Sequence, residues 1–134
     1  MKELLIPFFS SFVVMLAIDA VWLGIMSNKF YAVHIGHLMS KSPSLVPALV
    51  FYVIYIAGLT VFVLVPSIRE MRQFFPIFLY GALFGLVAYG TYDLTNQATL
   101  KDWPVIVTFI DLLWGSFLTG LVSVISVAIS KYFS

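Results

Sequence analysis

Three aspartates stand within or at the end of apolar stretches of the sequence, where a carboxyl group is costly. They are Asp19, Asp93 and Asp111. An ionised aspartate at the centre of a membrane-spanning helix costs about 2.5–3.5 kcal/mol on insertion scales, and such residues usually face the interior of a helix bundle and have a partner there. Carboxyl groups that meet in such an interior can bind a cation, exchange a proton, or act as an acid and base pair.

Two of these acids share a local motif with a tryptophan. "DAVWLG" places Trp22 three residues after Asp19, and "DLLWG" places Trp114 three residues after Asp111. Residues at this spacing lie on the same face of a helix. We therefore expect the indoles to flank the carboxyl groups, with their N–H groups as donors and their rings able to hold a cation. The alternative is an aromatic belt that marks the membrane interface.

The third acid lies in the segment "YGTYDLTN", between aromatic and polar residues. Tyr89 lies one helical turn before Asp93 on the same face, Tyr92 precedes the acid directly, and Asn96 offers a neutral donor. The alternative for Asn96 is a residue of a polar turn. The candidate ligand- or proton-binding residues are therefore Asp19, Asp93, Asp111, Trp22, Trp114, Tyr89, Tyr92 and Asn96.

The composition indicates that the elements carrying these residues lie in lipid. Of the 134 residues, 62% are hydrophobic and only 10% are charged, whereas soluble domains carry about 25% charged residues. A net charge of +1 gives no reason to expect a nucleic-acid partner. The absence of cysteine excludes disulfides, thiolate metal sites and a cysteine nucleophile.

Four apolar runs are long enough to cross a bilayer, at residues 4–26, 45–65, 74–92 and 104–130. A hydrocarbon core of about 30 Å requires roughly 20 helical residues, and the backbone must satisfy its own hydrogen bonds there. The sequence therefore predicts an all-α membrane protein, with residues 1–134 forming one up-down-up-down bundle of four transmembrane helices. The first run is expected to be a retained span rather than a cleaved signal, since it is long and contains Asp19.

This arrangement brings the three acids towards one surface of the membrane. Asp19 lies near the end of the first span and Asp111 near the start of the fourth, so each is about 10 Å inside the same surface at 1.5 Å per residue. Asp93 follows the third span on that side. The close pair Gly81 and Gly85 predicts that the third helix approaches a neighbour closely.

The basic residues give a preferred orientation. Those on the side of the N-terminus are Lys2, Arg69, Arg72 and Lys131, and those on the other side are Lys29, Lys41 and Lys101. The positive-inside rule then favours cytoplasmic N- and C-termini. His34 and His37 lie in the connector 27–44, which could form a short amphipathic helix at the interface. Because no further histidine or cysteine can complete a ligand set, we expect no metal site, and no motif calls for a cofactor.

The combination of motifs resembles that of a family of small four-span bacterial membrane proteins of unknown function. The motifs that carry the resemblance are "DAVWLG" in the first span, "YGTYDLTN" after the third, and "LKDWP" and "DLLWG" at the fourth. The resemblance implies an inner-membrane location in a bacterium and supplies no catalytic roles.

Three functions remain open from the sequence. The first is the binding or movement of a small polar ligand, a cation or a proton through the Asp/Trp/Tyr cluster. A homodimer is then expected, because four helices are few for a pathway. The second is a membrane-embedded enzyme, or accessory subunit, that acts on lipid with paired carboxyl groups. The third is a structural or assembly factor whose acids only set the register of the helices.

Overall fold

Four long helices make up the protein, and no strand is present. The computed structural model describes residues 1–134. We number the helices α1 (Lys2–Leu38), α2 (Leu45–Arg69), α3 (Phe74–Thr99) and α4 (Val105–Tyr132), each of which is long and apolar enough to cross a membrane. The prediction of an all-α membrane protein with four spans is confirmed, and the alternation of helix direction stays a prediction.

Three of the helices continue beyond the apolar runs that predicted them. α1 ends at Leu38 and α3 ends at Thr99, where the sequence indicated polar connectors from residues 27 and 93 onward. In α3 the hydroxyl groups of Thr91 and Thr99 donate to the backbone oxygens four residues earlier, at 2.6 and 2.8 Å. A polar residue of this kind satisfies its side chain on its own helix, so polarity alone did not mark the end of the helix.

α2 also continues past Pro66, which follows directly after the apolar run at residues 45–65. Pro66 has no N–H to donate, and its ring would clash with the carbonyl four residues earlier in an ordinary α-helix. The segment Thr60–Leu64 forms a π-helical turn, in which the Val65 N–H bonds to the oxygen of Thr60. This wider turn lies directly before the proline, so the helix can continue to Arg69.

α4 is the helix around which the bundle is arranged, because it packs against each of the other three. Its contact with α3 is the most extensive in the molecule. Leu118 and Val122 of α4 are fully buried and join Met15 of α1, Leu59 of α2 and Ile77 of α3 in the apolar core.

Glycines allow α3 and α4 to approach closely, as the Gly81 and Gly85 pair predicts. A Cβ atom at Gly81 would lie 2.8 Å from the backbone oxygen of Thr119, and one at Gly85 would lie 2.7 Å from the Thr119 Cβ atom. Neither position has room for a methyl group without a shift of the neighbouring helix. This contact sets the distance at which α3 presents Asp93 to α4.

We expect Gly85→Ala to destabilise the bundle by about 1–3 kcal/mol, because an added methyl group overpacks the interface between α3 and α4. Thermal or denaturant unfolding of the detergent-solubilised protein measures the effect. Gly24→Ala is the matched control, since a Cβ atom there meets nothing within 4 Å. Equal stabilities of the two variants would contradict the close contact.

Candidate functional site

The three predicted acids are all buried inside the bundle. Asp93 is 0% exposed, Asp19 is 6% exposed and Asp111 is 8% exposed. On α1, Asp19 continues a buried stripe in which Ser11 and Met15 recur every four residues. The same spacing connects Gly81, Gly85 and Asp93 on α3, and this repeat keeps each acid on the inward face of its helix.

Asp19 accepts hydrogen bonds from two other helices. The hydroxyl of Tyr52 on α2 donates to Asp19 Oδ2 at 2.8 Å, and the indole Nε1 of Trp114 on α4 donates to Oδ1 at 3.2 Å. Each oxygen of this carboxyl group therefore has one donor. The contacts connect α1, α2 and α4 at one point.

Asp111 is reached by a relay of two side chains from α1. The hydroxyl of Tyr31 donates to Asp111 Oδ1. The Tyr31 oxygen in turn accepts from the indole Nε1 of Trp22 at 3.2 Å. Tyr31 thus donates its hydroxyl hydrogen bond to the carboxyl group, and the bond from Trp22 fixes the position of the phenol.

The two tryptophans stack on each other between these acids. Their ring centroids are 4.1 Å apart, and their planes differ by 7°. Trp114 of α4 donates to Asp19 of α1, and Trp22 of α1 supports Asp111 of α4 through Tyr31. Each indole therefore serves the acid of the other helix and not the acid of its own motif. The repeated motif is explained by this crossed contact between α1 and α4.

Asp93 differs from the other two acids, because neither of its carboxyl oxygens has a hydrogen-bond donor. Asp93 lies against the turn of α4 that leads to Asp111, because the Thr108 hydroxyl, three residues before Asp111, donates to the Asp93 backbone oxygen at 3.5 Å. Two ionised carboxylates can only accept hydrogen bonds, whereas a protonated one can donate to the other. One proton between Asp93 and Asp111 would therefore satisfy both groups.

No basic side chain neutralises the buried acids. The ion pairs of the protein are Glu3 with Arg69 and Glu70 with Arg72. Arg72 also lies 4.1 Å from the centre of the Tyr80 ring. Burial of an unpaired charge is strongly unfavourable, and no basic side chain of the chain offsets the charge that these acids carry when ionised.

The remaining predicted residues fall into two groups. The ring of Tyr89 packs on Gly115, where an added Cβ atom would lie 2.8 Å from Tyr89 Cδ2. Tyr92 is 59% exposed and meets Trp103 edge-on at 5.8 Å, and Asn96 follows it by one helical turn on α3. Tyr92 and Asn96 therefore lie at the rim and not among the hydrogen-bonded acids.

The two tyrosine donors of the site, Tyr31 and Tyr52, were not predicted from the sequence. Tyr31 follows Trp22 by nine residues, and in an ideal α-helix this spacing turns through about 900° and leaves the two on opposite faces. The segment Ser27–Tyr31 forms a π-helical turn, in which the Ala32 N–H bonds to Ser27 O. This wider turn lets Tyr31 meet Trp22, and no residue pattern signalled it. Tyr52 stood in an apolar run without any motif.

The two histidines lie apart from the buried acids in the hydrogen-bond pattern. No group of three His, Cys, Asp or Glu side chains is arranged to hold a metal ion. His34 Nδ1 lies 2.9 Å from the backbone oxygen of Phe30, one turn earlier on its own helix. The carboxyl cluster therefore offers two adjacent acids and hydroxyl and indole donors as its chemical groups.

An apolar groove with a volume of about 630 Å³ lies between α1 and α4, beside the stacked indoles. Its lining residues are Ala17, Ile18, Val21, Trp22, Ile25, Met26 and Trp114. The groove presents one side of the tryptophan stack, while the indole N–H groups point to the polar cluster. The lining of the groove is entirely hydrophobic.

Fold and site together define a four-helix integral membrane protein with a carboxyl cluster buried in its bundle. The family described as "Predicted membrane protein (DUF2177)" matches residues 4–128, and the chain belongs to this family. No curated protein and no solved structure matched the chain. The expected resemblance to small membrane proteins of unknown function is confirmed.

We expect Tyr31→Phe to lower the free energy of unfolding by about 1–3 kcal/mol, because the buried Asp111 loses the donor to its carboxyl group. Tyr132→Phe is the matched control: Tyr132 is 83% exposed and should change stability by less than about 0.5 kcal/mol. Unfolding in detergent measures both variants. If Tyr31→Phe leaves the free energy of unfolding unchanged, the hydroxyl does not support the carboxyl group.

Proposed function

We propose that the protein binds and exchanges a proton at its Asp/Trp/Tyr cluster, and through it a small polar or cationic ligand. The observation that carries the proposal is the burial of Asp93 and Asp111 on facing turns of α3 and α4, which Thr108 joins through the Asp93 backbone oxygen, without a basic partner for either acid. A proton is the smallest species that removes the repulsion and supplies the missing donor. The absence of a three-ligand metal arrangement favours it over a divalent ion.

The predicted site residues take different parts in this proposal. Asp93 and Asp111 share the proton, and Tyr31 and Trp22 hold Asp111 in position. Asp19, with its donors from Tyr52 and Trp114, is a second acceptor.

The location of the protein in a membrane follows from its apolar composition. The four spans contact the lipid bilayer. We propose a bacterial inner membrane with cytoplasmic N- and C-termini, on the basis of the family resemblance and of the basic residues near Arg69 and Arg72. A homodimer remains part of the proposal, because four helices enclose little space for a ligand pathway.

A second function is favoured by the groove beside Trp22 and Trp114. An acyl chain in that groove would bring a lipid within one indole ring of the carboxyl cluster. The paired acids could then act on a lipid headgroup as acid and base. This alternative predicts a change in lipid composition when the protein is expressed, which a pure proton site does not. If the cluster has only a structural role, substitution of the acids changes the melting temperature and leaves lipid composition and proton exchange unaffected.

Infrared spectroscopy of the purified protein tests the shared proton. We expect the C=O stretch of a protonated carboxylic acid at neutral pH, and we expect Asp93→Asn to remove or shift it. Asp102→Asn is the matched control, because Asp102 is an exposed loop residue. The absence of this band from the wild type, or a band that survives both Asp93→Asn and Asp111→Asn, would contradict the proposal.

A further inference from the structure

Buried hydroxyl groups continue from the acid cluster along α4. Thr119, Ser123, Ser126 and Ser130 recur every three or four residues on its inward face, and all are at most 5% exposed. The neighbouring helices contribute the buried hydroxyls of Ser11, Thr60 and Ser67. We call Thr119, Ser123, Ser126 and Ser130 the hydroxyl column. It occupies the part of α4 that follows the acid cluster.

Three members of the column donate to their own helix. The hydroxyls of Thr119, Ser123 and Ser130 each donate to the backbone oxygen four residues earlier at 2.7 Å. A hydroxyl that donates in this way retains lone pairs that can accept another hydrogen bond. Back-bonding of this kind is the ordinary state of serine and threonine in a membrane helix.

Ser126 is the exception, because its Oγ atom is buried and has no hydrogen-bond partner. A buried polar atom without a partner costs about 1–3 kcal/mol, and ordered water commonly removes this cost. The protein has two other side-chain atoms of this kind, the two carboxyl oxygens of Asp93. The unsatisfied atoms therefore lie in the column and in the acid cluster.

One end of the column is connected to the acids through tyrosines. The hydroxyls of Tyr55 and Thr119 form a hydrogen bond. Tyr55 lies one helical turn after Tyr52, which donates to Asp19. Polar oxygen atoms thus lead from the column towards the acid cluster.

The other end of the column approaches the polar end of the bundle. The segment Val65–Arg69 packs against α4, and its buried Ser67 hydroxyl accepts from Arg72 Nη1 at 3.3 Å. Arg72 pairs with the exposed Glu70, and Arg69 of the same segment pairs with Glu3. A charged, water-accessible surface therefore lies at this end of α4.

We propose that the hydroxyl column is a proton route between this charged end and the acid cluster, with a water bound at Ser126. This inference rests on the proposed function and adds the path by which the proton arrives. Each oxygen in the route accepts one proton and passes on another, so no bond other than O–H is made or broken and no electron moves. The proton enters the acid cluster at Asp19, the acid that Tyr52 contacts.

Proton flux into liposomes tests the route with the full-length protein. A pH-sensitive dye inside the vesicles reports the flux under a potassium-diffusion potential. We expect Ser126→Ala to slow the flux by about tenfold, as for the loss of one hydrogen-bonded partner, and Ser126→Thr to preserve it. Ser116→Ala is the matched control, because Ser116 lies on the same helix outside the column.

The outcomes separate the route from the proton site. If Ser126→Ala conducts as fast as the wild type, or if the wild type conducts no faster than empty vesicles, the route is wrong. The infrared band of Asp93 would then still decide the proton site independently. A slow Ser126→Ala that keeps this band and its melting temperature supports the route, since a purely structural serine would not alter the flux alone.

Discussion

The structure depends on one constraint, which is that three carboxyl groups are buried in a bundle that offers them no basic side chain. Lipid cannot solvate them, so their partners must come from other helices or from outside the chain. Asp19 and Asp111 obtain hydroxyl and indole donors, and Asp93 obtains none. The unsatisfied acid is the observation on which the proposed proton site rests, because a buried polar group without a partner is costly.

The contacts that bring the acids together also hold the helices together. The glycine contact between α3 and α4 sets the approach of Asp93 to Asp111. The crossed contact between Trp22 and Trp114 joins α1 to α4 and directs each indole to the other helix's acid. Helix packing in lipid has little hydrophobic driving force, so close contact and hydrogen bonds must provide it. Substitution of one of the acids is therefore expected to alter the packing of α4 against its neighbours as well.

Much of the fold was predictable because apolar runs and the backbone's need for hydrogen bonds act locally. The burial of Asp19 and Asp111 followed from their place within those runs, and the contact at Gly85 followed from a spacing. The end of α3 was predicted too early, because threonines satisfy themselves on their own helix. The end of α1 was predicted too early because the helix continues past Met26 through a π-helical turn. Tyr31 was not predictable, since its position depends on a π-helical turn that no pattern indicated. The crossed pairing of the tryptophans depends on tertiary contact, which a repeated motif does not specify.

The most direct measurement of the central claim is carbon NMR of the protein with labelled aspartate side chains, recorded as a function of pH. If Asp93 and Asp111 share a proton, their carboxyl carbons change together over one pH range. Asp93→Asn should then displace the resonance of Asp111 and leave that of the exposed Asp102 unchanged. The account would be contradicted if the Asp111 resonance did not change on substitution of Asp93 and both acids were ionised over the whole pH range.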